Sequence, residues 1–296
     1  MKILHLDSGR EMRGGQWQVL RLHRALIEAG HESLLMARED GILQSVARKL
    51  GLPWEPLRPL RLGLRSRAFH LVHAHDSRSH TWGALFSRAP LVVSRRVSFP
   101  IGQSAASRWK YAAARRFLAV SGFVAEILVA SGVDAQKVEI VHDAVDMHDV
   151  TESGQLTVAP YTRDPQKGMR LAQQAAERAG VSLVLSRDLE ADLDRARVLV
   201  YLTQSEGLGS GILLGMARGV AVIASRVGGI PELIEDGVNG ILVENEAGAV
   251  ADALRRLTPE LASKLGRAAH ETVANRFTVQ HMLNATLNSY QRVLND

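Results

Sequence analysis

The fold of this chain is decided by residues 198–217, VLVYLTQSEGLGSGILLGMA. Residues 198–202 form an apolar run typical of a buried strand, and residues 212–217 have the composition of a helix. Glu206 and three glycines at alternate positions lie between them. A strand, a glycine turn and a helix in this order predict a βαβ unit, in which backbone amides at the start of the helix can receive an anion.

The glycine turn predicts a cradle for a diphosphate, and a tight turn without a ligand is the alternative interpretation. The amides that would form the cradle belong to Gly207, Leu208, Gly209, Ser210 and Gly211. Glu206 would repel a phosphate, so it is better suited to accept hydrogen bonds from sugar hydroxyls. Arg163 and Lys167 follow another predicted strand, and we expect both to face the same crevice and neutralise phosphate charge without a metal.

Short apolar runs and amphipathic stretches alternate along the whole chain, which predicts an α/β protein with parallel sheets covered on both faces. The pattern restarts after the polar stretch 151–155. We therefore expect two Rossmann-like βαβ domains, residues 1–149 and 150–278, whose sheets face a central cleft, and a helix at 279–296 that packs back toward the first domain. The predicted strands are 3–7, 33–37, 71–74, 90–94, 117–120, 138–141, 156–159, 181–185, 198–202, 220–224 and 240–243.

Composition excludes several classes of protein. The chain has 296 residues, 46% of them hydrophobic and 23% charged, which is typical of an ordered globular protein. It has no cysteine, so disulfides, cysteine zinc sites and thiol catalysis are excluded. No apolar run long enough to span a membrane and no signal peptide is visible in the sequence. We therefore expect a cytoplasmic protein.

Positive charge is concentrated in the first half, where residues 1–150 carry a net charge of +7 and the remainder −2. Four arginines occur between residues 58 and 67 with no acidic residue among them. A solvated surface is one interpretation, and contact with anionic lipid headgroups is another. No nucleic-acid-binding signature accompanies the arginines, which argues against nucleic acid as a partner. We expect a peripheral contact with the inner face of an anionic membrane.

Two further glycine pairs occupy predicted strand-to-helix turns. Gly14-Gly15 precedes a helix expected from Gln16, but GREMRGG lacks the GxGxxG spacing of a dinucleotide-binding turn. A simple turn and a contact with an anion or a sugar both remain open for this pair. Gly228-Gly229 precedes Pro231, and it is either a helix cap or a second wall for the same ligand.

The segment SEGLGSGILLGMARGVAVIASRVGGIPELIEDGVNGILV resembles the donor-binding segment of the retaining glycosyltransferase family 4, the group-one enzymes of GT-B fold. Three segments nearer the N-terminus resemble the corresponding parts of the same family's sequence: GGQWQVLRLHRAL, VHAHD and FLAVSGFVAEILVASGVDAQKVEIVHDAVD. The resemblance implies metal-free transfer of a sugar from a nucleotide-sugar donor, without a cofactor and with retention of configuration. It assigns the donor to the C-terminal domain and a glycan or lipid-linked acceptor to the N-terminal domain.

The resemblance also assigns residues. It implies that Lys167 contacts the diphosphate with help from Arg163, that Glu206 and Lys167 are the catalytic residues, and that Gly14-Gly15 lies near the transferred sugar. His75, Arg95 and Arg96 are expected at the sugar or the acceptor.

The chain departs from the family pattern at four places. Leu214 stands where the family has a second glutamate, and Arg95-Arg96 stands where it often has a histidine. Arg163 is one residue closer to Lys167 than in the family, with Thr162 at the matching position, and the donor domain is short.

Two functions remain open at this point. The chain is either an active transferase that acts on a cell-envelope glycan or a lipid-linked acceptor, or a degenerate relative that binds nucleotide sugar or a partner without turnover. Asp192-Leu193-Asp194 has the form of a metal-binding motif, but its charged surroundings predict a solvated helix face, so no metal is expected.

Overall fold

The computed structural model describes residues 1–150 and 154–296, and it divides into two compact units. The first comprises Met1–Asp143 together with Val279–Asp296, and the second comprises Ala144–Thr278. The division therefore falls at residues 143/144 rather than at the expected 149/150, and the C-terminal segment is part of the first unit. Residues 151–153 of the predicted linker lie outside the described residues.

Strands and helices alternate through both units. The strands are β1 Lys2–Asp7, β2 Glu32–Ala37, β3 Trp54–Pro56, β4 Leu71–Ala74, β5 Leu91–Arg95, β6 Arg116–Ala119, β7 Val138–Ile140, β8 Leu156–Pro160, β9 Leu183–Ser186, β10 Ala196–Tyr201, β11 Ala221–Ser225 and β12 Ile241–Val243. The α-helices are α1 Gly14–Glu28, α2 Ile42–Lys49, α3 Pro59–Arg65, α4 Ser77–Phe86, α5 Ala105–Ala112, α6 Gly122–Ala130, α7 Met169–Ala179, α8 Leu189–Leu193, α9 Ser210–Met216, α10 Ala247–Arg256, α11 Pro259–Arg276 and α12 Val279–Asn295.

Each unit is built around one parallel sheet. The strand order is β3-β2-β1-β4-β5-β6-β7 in the first unit and β12-β11-β10-β8-β9 in the second. In the described part of the chain every strand pair is parallel, which confirms the predicted α/β class. Because β1 and β10 lie inside their sheets, five of the six residues of β1 and four of the six residues of β10 are buried.

Some elements differ from the sequence prediction. Strand β3 was missed, because it has only three residues and one of them is the acidic Glu55. Helix α7 begins at Met169 rather than at residue 167, because a 3₁₀ turn over Pro165–Lys167 precedes it. The Gly228-Gly229 turn leads only into a 3₁₀ turn over Ile230–Glu232, not into a longer helix.

The described helices do not include one that combines the length and the hydropathy needed to cross a membrane.

Candidate functional site

The loops that follow β8, β10 and β11 carry most of the candidate residues of the second unit. Strand β10 lies in the sheet between β8 and β11 and is parallel to both. The carboxyl ends of parallel strands meet at one edge of a sheet, where ligands of such folds bind. Residues 202–209 connect β10 to α9 at this edge.

Glu206 is the centre of the candidate site. Its Oε2 atom lies 2.7 Å from Nζ of Lys167 and accepts a hydrogen bond of 3.0 Å from the hydroxyl of Tyr201. The backbone N–H of Gly207 donates to Oε1 over 3.2 Å. Two residues that are 39 positions apart in sequence, Lys167 and Glu206, are thus brought into one ion pair. Tyr201 was not predicted as a site residue.

The Gly228-Gly229 turn contacts the backbone of Glu206. The N–H of Gly229 donates to the carbonyl oxygen of Glu206 over 3.2 Å. Gly228 has φ +57°, and a Cβ atom on it would lie 2.1 Å from the same oxygen. This close approach requires glycine. The turn therefore supports the Glu206 backbone.

Two side chains hold the loop after β10: Ser225, the last residue of β11, and Asn245, which follows β12. The hydroxyl of Ser225 accepts from the N–H of Thr203 over 2.9 Å and donates to Oδ1 of Asn245 over 2.6 Å. The amide of Asn245 donates to the carbonyl of Thr203 over 2.9 Å. Ser225 and Asn245 were missed in the sequence, where their position at the ends of two apolar strands was the available signal.

The glycine segment lies where the sequence predicted it. Gly207, Leu208 and Gly209 are buried, and Gly209 is the residue before the first turn of α9. Ser210 and Gly211 open the helix, so their amides have no acceptor within it. The N–H of Gly207, in contrast, already contacts Glu206.

Arg163 and Lys167 have different neighbours in the structure. Arg163 is exposed and lines a cavity of about 630 Å³ together with the start of α7 and the loop after β10. Lys167, between the cavity-lining residues Pro165 and Gly168, forms its ion pair with Glu206. That both cations face one crevice stays a prediction. The cavity volume is in the range of small-ligand pockets.

Leu214 and the Asp192–Asp194 motif have separate surroundings. Leu214 is half-buried on α9, and its carbonyl oxygen accepts from Arg218 over 3.3 Å. Asp194 forms an ion pair of 2.7 Å with the same arginine, whose side chain is only 4% exposed. The motif therefore contributes a structural ion pair at the end of α8.

In the first unit, the Gly14-Gly15 turn and Arg96 lie side by side. Helix α1 begins at Gly14, and a Cβ atom on Gly15 would lie 3.8 Å from Cδ of Arg96. The Nε atom of Arg96 donates to Asp143 over 2.7 Å, and both side chains are mostly buried. The sequence expected these residues at the sugar or the acceptor, and the structure joins them at the carboxyl edge of the sheet.

Arg95 and His75 are interior residues, in contrast to the acceptor contacts expected of them. Arg95 is 8% exposed, and its guanidinium donates to the hydroxyl of Tyr111 over 2.8 Å and to the carbonyl of Phe99 over 2.6 Å. His75 is 7% exposed, with its Nε2 atom 2.9 Å from Nδ1 of His5. The packing of these side chains into the unit removes them from the surface that an acceptor would contact.

Three histidines cluster in the core of the first unit, which local sequence spacing did not reveal. Nitrogen atoms of His5, His73 and His75 lie within 4.8 Å of one another. Burial holds the pKa of each well below its usual value, so the rings are neutral. The register that pairs His5 with His73 on adjacent strands places them on the same face.

This donor set does not fit a metal ion. Both nitrogens of His73 are engaged, by the hydroxyl of Tyr290 at 2.6 Å and by that of Ser94 at 2.8 Å. One ring nitrogen of His75 is also engaged, since its Nε2 atom lies 2.9 Å from Nδ1 of His5. The positive charge of Arg96 adds to the fall in the pKa of His73 and would repel a cation as well.

Asp7 is a buried carboxyl group at the carboxyl end of β1. It accepts hydrogen bonds from the N–H of Gly9 over 2.8 Å and from the amide of Gln16 over 3.0 Å. Burial, and next the neighbouring Asp76 carboxylate, raise the pKa of Asp7 to about 6. Asp76 in turn binds the backbone of Ser8 over 2.6 Å. The two carboxyl groups therefore anchor the loop that leads to Gly14-Gly15.

Family models match most of the chain. The model described as Glycosyltransferase Family 4 matches residues 12–149, and the model described as Glycosyl transferases group 1 matches residues 127–259. Alpha-maltose-1-phosphate synthase of Mycobacterium tuberculosis is 33% identical over 136 residues, 42% of this chain and 35% of that protein. D-inositol 3-phosphate glycosyltransferase of Mycolicibacterium smegmatis is 34% identical over 113 residues, 38% and 26% of the two chains. The match thus spans about a third of the length of these relatives.

Solved structures match the chain over its whole length. Anabaena HepE in complex with UDP and glucose has a TM-score of 0.84 at 16% identity, covering 99% of this chain and all of that one. Sucrose-phosphate synthase of Thermosynechococcus elongatus has a TM-score of 0.72 at 16% identity, with both chains covered completely. At this level of identity the likeness concerns the fold.

Proposed function

Because this chain belongs to the group 1 glycosyltransferases of family 4 and has the GT-B fold, we propose that it transfers a sugar from a nucleotide-sugar donor to a glycan or lipid-linked acceptor. The proposed transfer retains the anomeric configuration and needs no metal. The observation that carries the proposal is the ion pair of Lys167 with Glu206 at the carboxyl end of β10, beside the first turn of α9.

The residues of this site match the chemistry of the step. As the bond between sugar and diphosphate breaks, negative charge grows on the diphosphate. The amides of Ser210 and Gly211 supply fixed partial positive charge for it, and Lys167 supplies a full positive charge. Glu206 accepts hydrogen bonds from sugar hydroxyls. A donor phosphate oxygen can take the proton of the attacking acceptor hydroxyl, so this step needs no base from the chain.

A nucleotide sugar as donor has support from outside the chain. HepE, which is similar to this chain in fold, has been solved with UDP and with UDP-glucose. Its relatives in sequence include an alpha-maltose-1-phosphate synthase and D-inositol 3-phosphate glycosyltransferases.

The absence of a carboxylate at Leu214 favours a second function, binding without turnover. The resemblance implies that a second glutamate at this position holds the ribose hydroxyls of the donor. A hydroxyl that loses its partner weakens binding by about 1–3 kcal/mol. Measurements of turnover and of binding on the same preparation separate the two functions.

We also propose a peripheral contact with an anionic membrane through helix α3 of the first unit. Leu60 and Leu64 are one turn apart on this helix and are 83% and 70% exposed. Arg61 and Arg65 share a single acidic partner, Glu55, at 2.9 and 2.6 Å, so the surface keeps a net positive charge. Exposed leucines with a basic surround are typical of helices that lie on lipid headgroups.

The transfer reaction is tested on the full chain with a panel of nucleotide sugars. Donor hydrolysis and transfer are measured together with calorimetric binding of each nucleoside diphosphate. We expect Lys167→Ala to weaken binding by about 1.5–3 kcal/mol, and Lys264→Ala, an exposed lysine on α11, to leave it unchanged. An unchanged dissociation constant in Lys167→Ala, or no binding by the wild-type chain, would overturn the proposal. The anomeric configuration of the product, measured by NMR, tests retention.

Turnover decides between the two candidate functions. Binding of a nucleotide sugar with neither hydrolysis nor transfer to any offered acceptor would favour the degenerate relative.

A further inference from the structure

The Glu206 carboxylate has three hydrogen-bond donors of different character. Lys167 and Tyr201 both contact Oε2, and the N–H of Gly207 contacts Oε1. The Glu206 side chain is 17% exposed, whereas that of Lys167 is 36% exposed. Lysine carries its ammonium group on a flexible four-carbon stem. Lys167 is therefore the donor that can move, while Tyr201 and Gly207 are part of the framework.

Tyr201 is fixed in place by packing. It ends strand β10, and a Cβ atom on Gly211 would lie 2.7 Å from its ring, so the first turn of α9 lies directly against the ring. Burial, and then the negative charge of Glu206, raise the pKa of Tyr201 well above its ordinary value. The phenol therefore keeps its proton and donates a hydrogen bond to Oε2 of Glu206.

Lys167 has two competing anions in the proposed reaction. Before the donor binds, it pairs with Glu206; when the donor binds, it is needed at the diphosphate. A mostly buried carboxylate that loses its only cation is strongly destabilised unless other donors remain. The hydroxyl of Tyr201 and the N–H of Gly207 are the donors that remain.

We infer that Tyr201 is a positioning residue of this site, which holds the Glu206 carboxylate while Lys167 moves from it to the donor diphosphate. This inference rests on the proposed function. It assigns a role to a hydroxyl that neither the sequence pattern nor the resemblance singled out. Tyr201 itself touches no substrate in this scheme, because it acts through Glu206.

A double-mutant cycle tests the role of the hydroxyl. In the otherwise wild-type chain, Tyr201→Phe should weaken binding of a nucleoside diphosphate roughly tenfold. In the Glu206→Gln background, where no charge needs support, the same change should alter the dissociation constant less than about twofold. Tyr290→Phe removes a buried hydroxyl of the first unit that contacts His73 at 2.6 Å, and it should leave binding unchanged.

Glu206→Gln alone gives a second, independent measurement, which remains available if Tyr201→Phe does not fold. Without the carboxylate, Lys167 is no longer held, so the variant should bind a nucleoside diphosphate at least as tightly as the wild-type chain. It should bind the complete nucleotide sugar less tightly, because the acceptor for the sugar hydroxyls is weakened.

The outcomes distinguish failure of the role inferred for Tyr201 from failure of the proposed function. Equal losses for Tyr201→Phe in both backgrounds, no loss in either, or weaker diphosphate binding by Glu206→Gln would overturn the inference. If binding remains sensitive to Lys167→Ala in those cases, the proposed function survives. If the wild-type chain binds no nucleoside diphosphate, both fail together.

Discussion

The Cα atom of Gly228 faces the carbonyl group of Glu206 so closely that a methyl group on it would lie 2.1 Å from the carbonyl oxygen. The loop after β11 is thus in direct contact with the residue that pairs with Lys167. The adjoining N–H of Gly229 donates to the same oxygen. The position of Glu206 therefore depends on a turn that holds its backbone.

Gly228→Ala should destabilise the second unit and weaken nucleotide binding. The left-handed backbone conformation costs a non-glycine residue about 1–2 kcal/mol, and the contact with the Glu206 carbonyl adds an overpacking cost of about 1–3 kcal/mol. We expect a total loss of about 2–5 kcal/mol in the free energy of unfolding. Urea-induced unfolding measures it.

Gly237→Ala is the matched control. Gly237 has φ +78°, and nothing lies within 4 Å of a Cβ atom placed on it. This substitution therefore carries the backbone cost without the contact, about 1–2 kcal/mol, and should leave nucleotide binding intact. Equal destabilisation by the two substitutions would show that the Glu206 contact relaxes freely and that the turn does not position the site.

Much of the second unit could be predicted from the sequence, because its signals are local. The apolar run before Glu206 and the glycines after it define β10, the turn and the start of α9, which the structure places within a few residues of the prediction. The meeting of Lys167 with Glu206 was also accessible, since both follow parallel strands whose carboxyl ends share one edge of the sheet.

The remaining contacts depend on packing across long stretches of sequence. Nothing near Tyr201 in the sequence shows that its hydroxyl reaches Glu206, and the strand register that clusters His5 with His73 is set by the sheet. Side-chain burial was equally hidden. The sequence predicts an exposed cation at Arg95, but its guanidinium donates hydrogen bonds to the hydroxyl of Tyr111 and to a backbone carbonyl.

Leu214→Glu should strengthen binding of a nucleoside diphosphate. Leu214 is half-buried on α9, so an added carboxylate can reach solvent or a ligand. If the ribose of the donor lies at this position, the carboxylate supplies hydrogen-bond acceptors worth about 1–3 kcal/mol. Calorimetric titration of wild type and variant measures the difference.

Leu213→Glu, one position earlier, is the control for a carboxylate on the same helix. Leu213 is fully buried, so its replacement places an unpaired charge in the core and should destabilise the unit by several kcal/mol, about 3 or more. Weakened or unchanged nucleotide binding in a folded Leu214→Glu variant would mean that the ribose is held elsewhere.

Asp7→Asn should stabilise the first unit at neutral pH. The pKa of Asp7 is raised to about 6 in the folded chain. Its contribution to stability is therefore fully present below its unfolded pKa, near 4, and is lost as pH rises through 6. A shift of this size corresponds to about 2–3 kcal/mol at most.

The side-chain amide introduced by Asp7→Asn cannot ionise, so this pH dependence should disappear in the variant. Thermal unfolding of wild type and variant between pH 4 and pH 7 measures the difference in slope. Parallel curves for the two proteins would contradict the assigned pKa. Asp40→Asn is the control, because Asp40 is exposed and its pKa is lowered by Arg38 rather than raised.

The membrane proposal predicts that binding to vesicles depends both on the leucines of α3 and on lipid charge. The paired substitution Leu60→Ser and Leu64→Ser removes the two most exposed leucines of the helix and should weaken binding to anionic vesicles at least about tenfold. The substitutions Ile42→Ser and Leu50→Ser alter a second exposed apolar pair of the same unit, 49% and 54% exposed, and should have little effect.

Lipid composition and salt complete this test, because they separate adsorption on a bilayer from attraction to another protein surface. Binding should fall when anionic lipid is replaced by zwitterionic lipid, and it should fall again as salt shortens the range of the attraction. Self-association that depends on Leu60 and Leu64, with vesicle binding unaffected, would identify α3 as a contact between copies of the chain. Equal binding of both paired variants to neutral and anionic vesicles would remove the membrane from the proposed function and leave the transfer site of the second unit untouched.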